Sequence, residues 1–164
     1  MSLEADKYLG VVCLLNSAHA EILVDVSDLP LLGRGRWTVT KSRWGQYAVK
    51  QIDSVRWQLH RLILGAQAGQ VVDHINRDGL DNRRVNLRLC TPTQNNANQA
   101  VRADSHSGLK GAYLHNARSS KPWRAAIKVG GRRRYLGTYH RAEDAHAAYC
   151  AAAAEVFGEF ARTE

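Results

Sequence analysis

The sequence predicts an α+β protein in two parts. An N-terminal β-rich region leads into a β-loop-β-helix segment, and a three-stranded antiparallel sheet packed on one C-terminal helix follows. Three observations carry this. Short β-branched apolar runs separated by turn residues fill residues 1–65. The stretch "VNLRLCTPTQNNANQAVRA" passes from a strand pattern into helix-start chemistry. The last third alternates apolar with basic residues, then becomes an alanine-rich helical run.

Taken in order, "YLGVVCLL" and "EILVDV" read as strands, and "WTVTK" and "QYAVKQ" flank "SRWG" as a hairpin. "VRWQLHRLIL" reads as a strand running into a short helix, and "GAQAGQ" as a loop. "VVDHI" at 71–75 is a strand, a polar loop continues through Arg84, and "VNLRL" is the returning strand. The helix after it starts by side-chain chemistry. Thr91 caps, Pro92 suits the first position, and Gln94 completes a capping box. Residues 104–107, within "DSHSG", form a linker, so the parts are 1–103 and 108–162. In the second part "GAYLH", "WRAAIKVGG" and "RRRYLGTY" are strands. "AEDAHAAYCAAAAEVF" is a helix closed by Gly158, and its small side chains let it lie close on one sheet face.

The formal net charge is +8, which favours an acidic partner. No apolar run approaches the roughly 20 residues that span a bilayer, so no membrane partner is expected. The apolar run from Tyr8 to Leu15 follows Glu4 and Asp6, which spoil the positive start of a signal peptide, so a buried strand is the better reading. Cys13, Cys90 and Cys150 are far apart, without a C-x-x-C pair. That argues against structural zinc and against a disulfide framework, and fits a reducing, cytoplasmic compartment. Charge is uneven along the chain. Residues 1–30 hold Glu4, Asp6, Glu21, Asp25 and Asp28 against Lys7, whereas 108–141 hold Lys and Arg and no acid. The asymmetry suggests a division of labour between the two ends.

The chemistry concentrates in 71–98. Asp73 and His74 are neighbours on a strand, so their side chains start on opposite faces, and the bend into the loop must bring them to one site. A hairpin would return Asn86 beside His74, and a helix packed on the hairpin would bring Asn95 near Asp73. Such a group has the parts for phosphodiester hydrolysis. An imidazole can take a proton from water. A carboxylate and an amide oxygen are hard ligands suited to Mg²⁺ or Mn²⁺, and a metal stabilises the phosphate transition state and the leaving oxygen. "HINRDG" has the flavour of a calcium loop, but His74 and Val85 stand where carboxylates belong.

"LHRL…VVDHINRDGLDNRRVNLRLCTPTQNNANQ" resembles the HNH (ββα-metal) nucleases, especially the phage homing-endonuclease branch. The resemblance implies His74 as general base and Asp73 and Asn95 as ligands of one divalent cation, Mg²⁺ or Mn²⁺. It implies Asn86 as the residue that orients His74. It also implies a phage or prophage protein acting in a bacterial host. The family's frequent cysteine-zinc pairs are absent here. His60 is read either as a packed residue behind the site or as a phosphate contact shared with Arg61. Asn98 and Gln99 are read as supporting or DNA-backbone contacts.

Alternation sorts the C-terminal strands into a core face of Trp123, Ala125, Ile127, Val129, Leu136 and Tyr139, and an outer face of Tyr113, His115, Arg124, Lys128, Arg133 and Tyr135. A cationic sheet face with interleaved aromatics suits a DNA groove. The segment resembles the DNA-binding domain of plant Apetala/ethylene-response factors through "G-A-Y", "W-R-A-x-I", "Y-L-G-T-Y" and "A-E-D-A-x-x-A-Y". Tyr113 and His115 replace arginines common in the plant members, and Arg141 stands where they often have a capping Thr. The combined expectation is a monomeric, metal-dependent endonuclease that cuts double-stranded DNA. A DNA-binding regulator on an inactive nuclease scaffold is the alternative, and an RNA-binding module a third class.

Overall fold

The computed structural model describes residues 3–4, 11–15, 20–42, 45–101 and 104–162. Residues 8–10 of the first apolar run, the turn at 43–44 and the expected helix end at 102–103 lie outside the described residues. The chain divides into two compact units, Met1–Cys90 and Thr91–Glu164. This division falls ahead of the linker expected at 104–107. Among the described residues, no helix is long and apolar enough to cross a membrane.

The first unit is built on three small antiparallel sheets. β1 (Leu3–Glu4), β2 (Val11–Leu15) and β3 (Glu21–Asp25) form one meander. A one-turn helix α1 (Leu29–Leu32) follows, opened by Pro30 at its start. β4 (Thr38–Ser42), β5 (Gly45–Ile52) and β6 (Val55–Gln58) form the second meander. Asp53 and Ser54 join β5 to β6 with φ of 47° and 64°, the left-handed pair a two-residue hairpin turn demands. α2 (Leu59–Ile63) leads to the last pair, β7 (Val71–His74) and β8 (Leu87–Cys90).

Ile22, Val24, Leu32, Trp37, Ala48, Leu59, Ile63, Val72 and Leu87 make one buried core that joins β3, α1, β5, α2, β7 and β8. Ile22 and Val24 alternate with half-exposed neighbours, the period-2 signature of a strand buried on one face. Lys50 is buried, with its ammonium donating to the Leu32 carbonyl at 2.9 Å and to that of Arg34. It also lies 5.7 Å from the Trp37 ring, so its charge is met by dipoles and a π face.

The second unit opens with α3 (Pro92–Asn98). Its capping box is present as read from "TPTQ": the Thr91 hydroxyl accepts from Gln94 N at 3.2 Å, and Gln94 Oε1 accepts from Thr91 N at 2.8 Å. The helix stops at Asn98, short of the expected 103, because Gln99 turns to ψ 149°. Lys110 then takes the freed carbonyls of Ala97 and Gln99.

β9 (Ala112–Leu114), β10 (Trp123–Val129) and β11 (Arg132–Tyr139) form the antiparallel sheet, and α4 (Ala142–Phe157) packs on it. Ala145, Tyr149, Ala152, Ala153 and Phe157 are its buried stripe. Gly111, with φ 74°, lets β9 pass so close to α4 that an added Cβ would overlap the Tyr149 ring. A bulge between Ala125 and Ala126 breaks the β10–β11 register and inserts Leu136 unpaired. That extra residue is why Leu136 and Tyr139, three apart, both pack in the core.

Candidate active site and candidate nucleic-acid face

The β7–β8 hairpin carries the first site. His74 pairs with Leu87 and Asp73 with Arg88 across it. Both site residues are almost wholly buried, at 5% exposure for Asp73 and 6% for His74. The Asp73 carboxylate accepts from Arg88 Nε at 2.9 Å and is ion-paired to the same guanidinium. The His74 ring lies 5.0 Å from the His60 ring, edge-on, and 6.0 Å from the Tyr47 ring. Tyr47 is a neighbour of both residues: burial, then the charge of Asp73, pushes its hydroxyl pKa up.

Burial dominates the His74 imidazole and holds its pKa below the ordinary histidine value. Asn82 beside the ring and the charges of Asp73, Asp78 and Asp81 pull in the opposite direction. The net result is a ring that is neutral at neutral pH and able to take a proton. Asn82, fully buried within "LDN", is the side chain that sequence reasoning missed. His60 is more strongly shifted: burial, then the nearby His74 and Arg61, lowers it to about 3.

Asn86 closes the loop between the two strands. It was expected to orient His74, but its amide is spent on the loop. Oδ1 accepts from Asn76 N at 2.9 Å, while Nδ2 donates to Asn76 Oδ1 at 2.9 Å and to the Asp81 carbonyl at 2.8 Å. The physical reason is local. Arg84–Asn86 is a 3-10 turn, so the strand begins at Leu87, two residues after the expected Val85, and Asn86 bonds within its own loop. Its backbone carbonyl does reach the site strand, accepting from Ile75 N at 2.9 Å.

The loop itself is rigidly tied. Asp81 accepts from Asn76 and from the Arg83 guanidinium, and Arg84 grips Asp28 with Nε and a terminal nitrogen at 2.7–3.0 Å. Leu23 on β3 exchanges backbone bonds with Leu80 and Asn82. Gly79 sits where an added Cβ would overlap the Gln46 carbonyl and come 2.8 Å from the Tyr47 ring. The loop thus clamps Tyr47, and Tyr47 abuts the site. Arg61 donates to the carbonyls of Ala66, Gln67 and Gln70, so it fixes the turn before β7.

Asn95, the other expected metal ligand, is on α3 in the second unit, half-buried, with its backbone N donating to Thr91 O at 2.9 Å. Among the described residues no three His, Cys, Asp or Glu side chains converge to hold a metal. Asp73 offers a carboxylate oxygen and Asn95 an amide oxygen, each a donor of the kind a hard divalent cation takes. By type, each donor suits a Mg²⁺-like ion. Asn98 is buried and Gln99 ends α3.

The second candidate site is the outer face of β9–β11. Register pairs Arg124 with Tyr113, Ala126 with Tyr135 and Lys128 with Arg133, which puts five of the expected residues on one face. Arg124 lies 5.2 Å from the Tyr135 ring and Arg133 lies 5.6 Å from the Tyr113 ring. The guanidinium groups are thereby pre-positioned by aromatic faces. His115 stands just past the end of β9, its amide bonded to the Pro122 carbonyl at 2.9 Å.

The HNH endonuclease family matches residues 58–97, the stretch from the end of β6 to α3 that holds Asp73, His74, Asn86 and Asn95. An uncharacterized HNH endonuclease from Acanthamoeba polyphaga mimivirus is 31% identical over 144 residues, covering 84% of this chain and 71% of the relative. No solved structure gives a significant match. A hairpin with a buried Asp-His pair, a locked asparagine-rich loop and a relative of this extent lead to one conclusion: the chain belongs to the HNH endonucleases, enzymes that cut DNA with the help of a divalent metal ion.

Proposed function

We propose that this endonuclease hydrolyses phosphodiester bonds in double-stranded DNA, that it is of the homing type, and that its C-terminal sheet holds the duplex. The observation that carries the reading is the buried His74 imidazole, kept neutral by burial and seated beside the Asp73 carboxylate. His74 takes the proton from the attacking water at an imidazole nitrogen. Asp73 and Asn95 are the residues that would hold the cation, Mg²⁺ or Mn²⁺. When bound, that ion supplies charge neutralisation at the phosphate and at the leaving 3′ oxygen. Arg88 holds the Asp73 carboxylate in one orientation through its ion pair. Asn86 acts through the loop, by fixing Asn76 and Asp81.

Tyr113, His115, Arg124, Lys128, Arg133 and Tyr135 are proposed as the DNA contacts. What supports them is a face with no carboxylate and with guanidinium groups stacked on tyrosines. One active site per chain suits a monomer and permits a nick, while cutting both strands takes a dimer or successive nicks.

The test is cleavage of plasmid and defined linear duplexes by the purified protein with Mg²⁺ or Mn²⁺. His74→Ala is expected to abolish cleavage and keep duplex affinity. Intact DNA after incubation with folded wild-type protein would overturn the reading and favour a DNA-binding regulator. Equal loss of cleavage and binding in His74→Ala would reassign the residue to binding.

A further inference from the structure

The β4–β5–β6 sheet has a face of which the site described above uses only Tyr47. Cross-strand register puts Thr38 and Thr40 of β4, Tyr47 and Gln51 of β5, and Arg56 and Gln58 of β6 on it. Tyr47 and His60 lie at its end, and both rings touch the His74 ring. Here the surface deepens into a cleft of about 550 Å³, lined by Thr40, Tyr47, Arg56, Gln58, His60 and Arg61 among others, with Lys41 at the rim and no carboxylate in the lining. Arg56 and Lys41 are exposed and have no acidic partner among the described residues. His60, 6% exposed, keeps Nδ1 without a hydrogen-bond partner among the described residues.

The polar side chains and the charge of this cleft match a polyanion with many oxygen acceptors. Hydroxyls, amides and guanidinium groups offer donors. Two cations without partners set a positive potential, and a wall of antiparallel strands keeps the donors in a row. Val71, Val72 and the Tyr47 ring stand among these donors and offer apolar contact to sugar rings. A peptide strand would need a free sheet edge, and this is a sheet face. Two residues of the lining, Tyr47 and His60, pack against the His74 ring, so a strand lying in the cleft runs beside that ring.

We propose that this cleft binds the sugar–phosphate backbone of the DNA strand flanking the scissile phosphodiester, with Arg56 as the principal phosphate contact and Gln58 and Thr40 as supporting donors. The proposal rests on the nuclease reading above and adds a second substrate surface, in the first unit, to the C-terminal sheet.

The experiment uses the full-length protein, Arg56→Ala and Gln58→Ala, on a defined duplex whose cut site has been mapped. Arg56 is exposed, and unchanged far-UV circular dichroism verifies its variant's fold. Arg56→Ala is expected to raise KM about tenfold, the effect of losing one charge-assisted contact, and to leave kcat within about twofold. Its salt slope, log K against log salt, should fall by about one phosphate equivalent. A series of duplexes carrying single neutral methylphosphonates beside the cut locates the contact. One or two such positions should weaken wild type about tenfold and leave Arg56→Ala unaffected.

An unchanged KM and salt slope overturn the proposal, as do identical methylphosphonate profiles in the two proteins. Absence of cutting by wild type sinks the nuclease reading alone. The cleft is then judged by fluorescence anisotropy on the same duplexes, where equal Kd for wild type and Arg56→Ala overturns it.

Discussion

His60 sets a limit on acid stability that can be worked out from its surroundings. It sits on α2 with Tyr47 of β5 and His74 of β7 against its ring and Arg61 on its own helix. An ordinary histidine titrates at 6.5, whereas burial, with the nearby His74 and Arg61, brings this one down to about 3. The folded-state value is the depressed one, so as pH falls the unfolded chain takes the proton first. Stability is therefore fully present above 6.5, declines below it, and stops declining only near 3. Each pH unit inside that window costs about 1.4 kcal/mol. Moving from about pH 7.5 to about pH 4.5 costs about 2.5 kcal/mol from this residue alone.

His60→Leu isolates the effect. Leucine is similar in size and carries no charge, and since His60 makes no side-chain hydrogen bond among the described residues, nothing is stranded by its loss. Stability near pH 7.5 is expected to stay equal or rise by about 1 kcal/mol. The variant should then keep about 2.5 kcal/mol more than wild type at the acid end. His74 shifts in the same direction in both proteins and cancels in the difference. The assay is urea unfolding at a series of pH values, followed by tryptophan fluorescence, for which Trp37, 7% exposed in the core of the first unit, is the reporter. Parallel stability–pH curves for the two proteins would refute the argument.

Asn86→Ala removes three hydrogen bonds and leaves the buried Asp81 carbonyl without its donor. It should cost about 2–4 kcal/mol in the same unfolding assay. Gly79→Ala drives a methyl group into the Gln46 carbonyl and the Tyr47 ring, so thermal melts should show a loss of about 1–3 kcal/mol. α4 starts at Arg141 without a side-chain cap, and Arg141→Thr is expected to raise the melting temperature through a gain of about 1 kcal/mol. The catalytic base must be neutral, and burial holds the His74 pKa below 6.5, so kcat/KM should be flat through neutral pH and fall on the acid side with a midpoint under 6.5. Asn82→Ala removes the group that raises this pKa most, and its acid limb should move to lower pH still.

The elements that local patterns dictate were legible in the sequence. The capping box of Thr91 and Gln94 forms as written, and the β10 alternation predicts its buried Ala125 and Ile127. Leu136 and Tyr139 were assignable to the core by residue type, but the bulge that lets both reach it depends on strand pairing. The end of α3 was not legible, because the group that takes its last carbonyls is Lys110, outside the helix. The loop asparagines show the same limit more sharply. Asn76, Asn82 and Asn86 have identical chemistry, and only the fold of 76–86, with Arg77 at φ 67° and a 3-10 turn at its close, decides which amide faces the imidazole. A family pattern placed Asn86 beside the ring; the turn spends it on Asn76 and Asp81.

The uneven charge can now be reinterpreted in the same terms. The acids near the start of the chain suggested a division of labour, yet Asp28 and Asp25 are partners of Arg84, whose backbone N also donates to Asp25 at 2.8 Å. Arg83 pairs with Asp81 and Arg88 with Asp73. The arginines of "DNRRVNLR", which look like a phosphate grip in the sequence, are thus occupied in holding the loop and the carboxylate of the site. Their net field is small, since each cation lies within 3 Å of an anion. Arg124, Lys128 and Arg133 on the C-terminal sheet have no such partner among the described residues, and neither has Arg56. Counterion release scales with cations that meet phosphate, so neutralising Arg84 should leave the salt slope of DNA binding nearly unchanged and lower stability instead. Neutralising Arg133 should lower the slope by about one and leave stability alone. A slope that drops with Arg84 and not with Arg133 would return the grip to the loop.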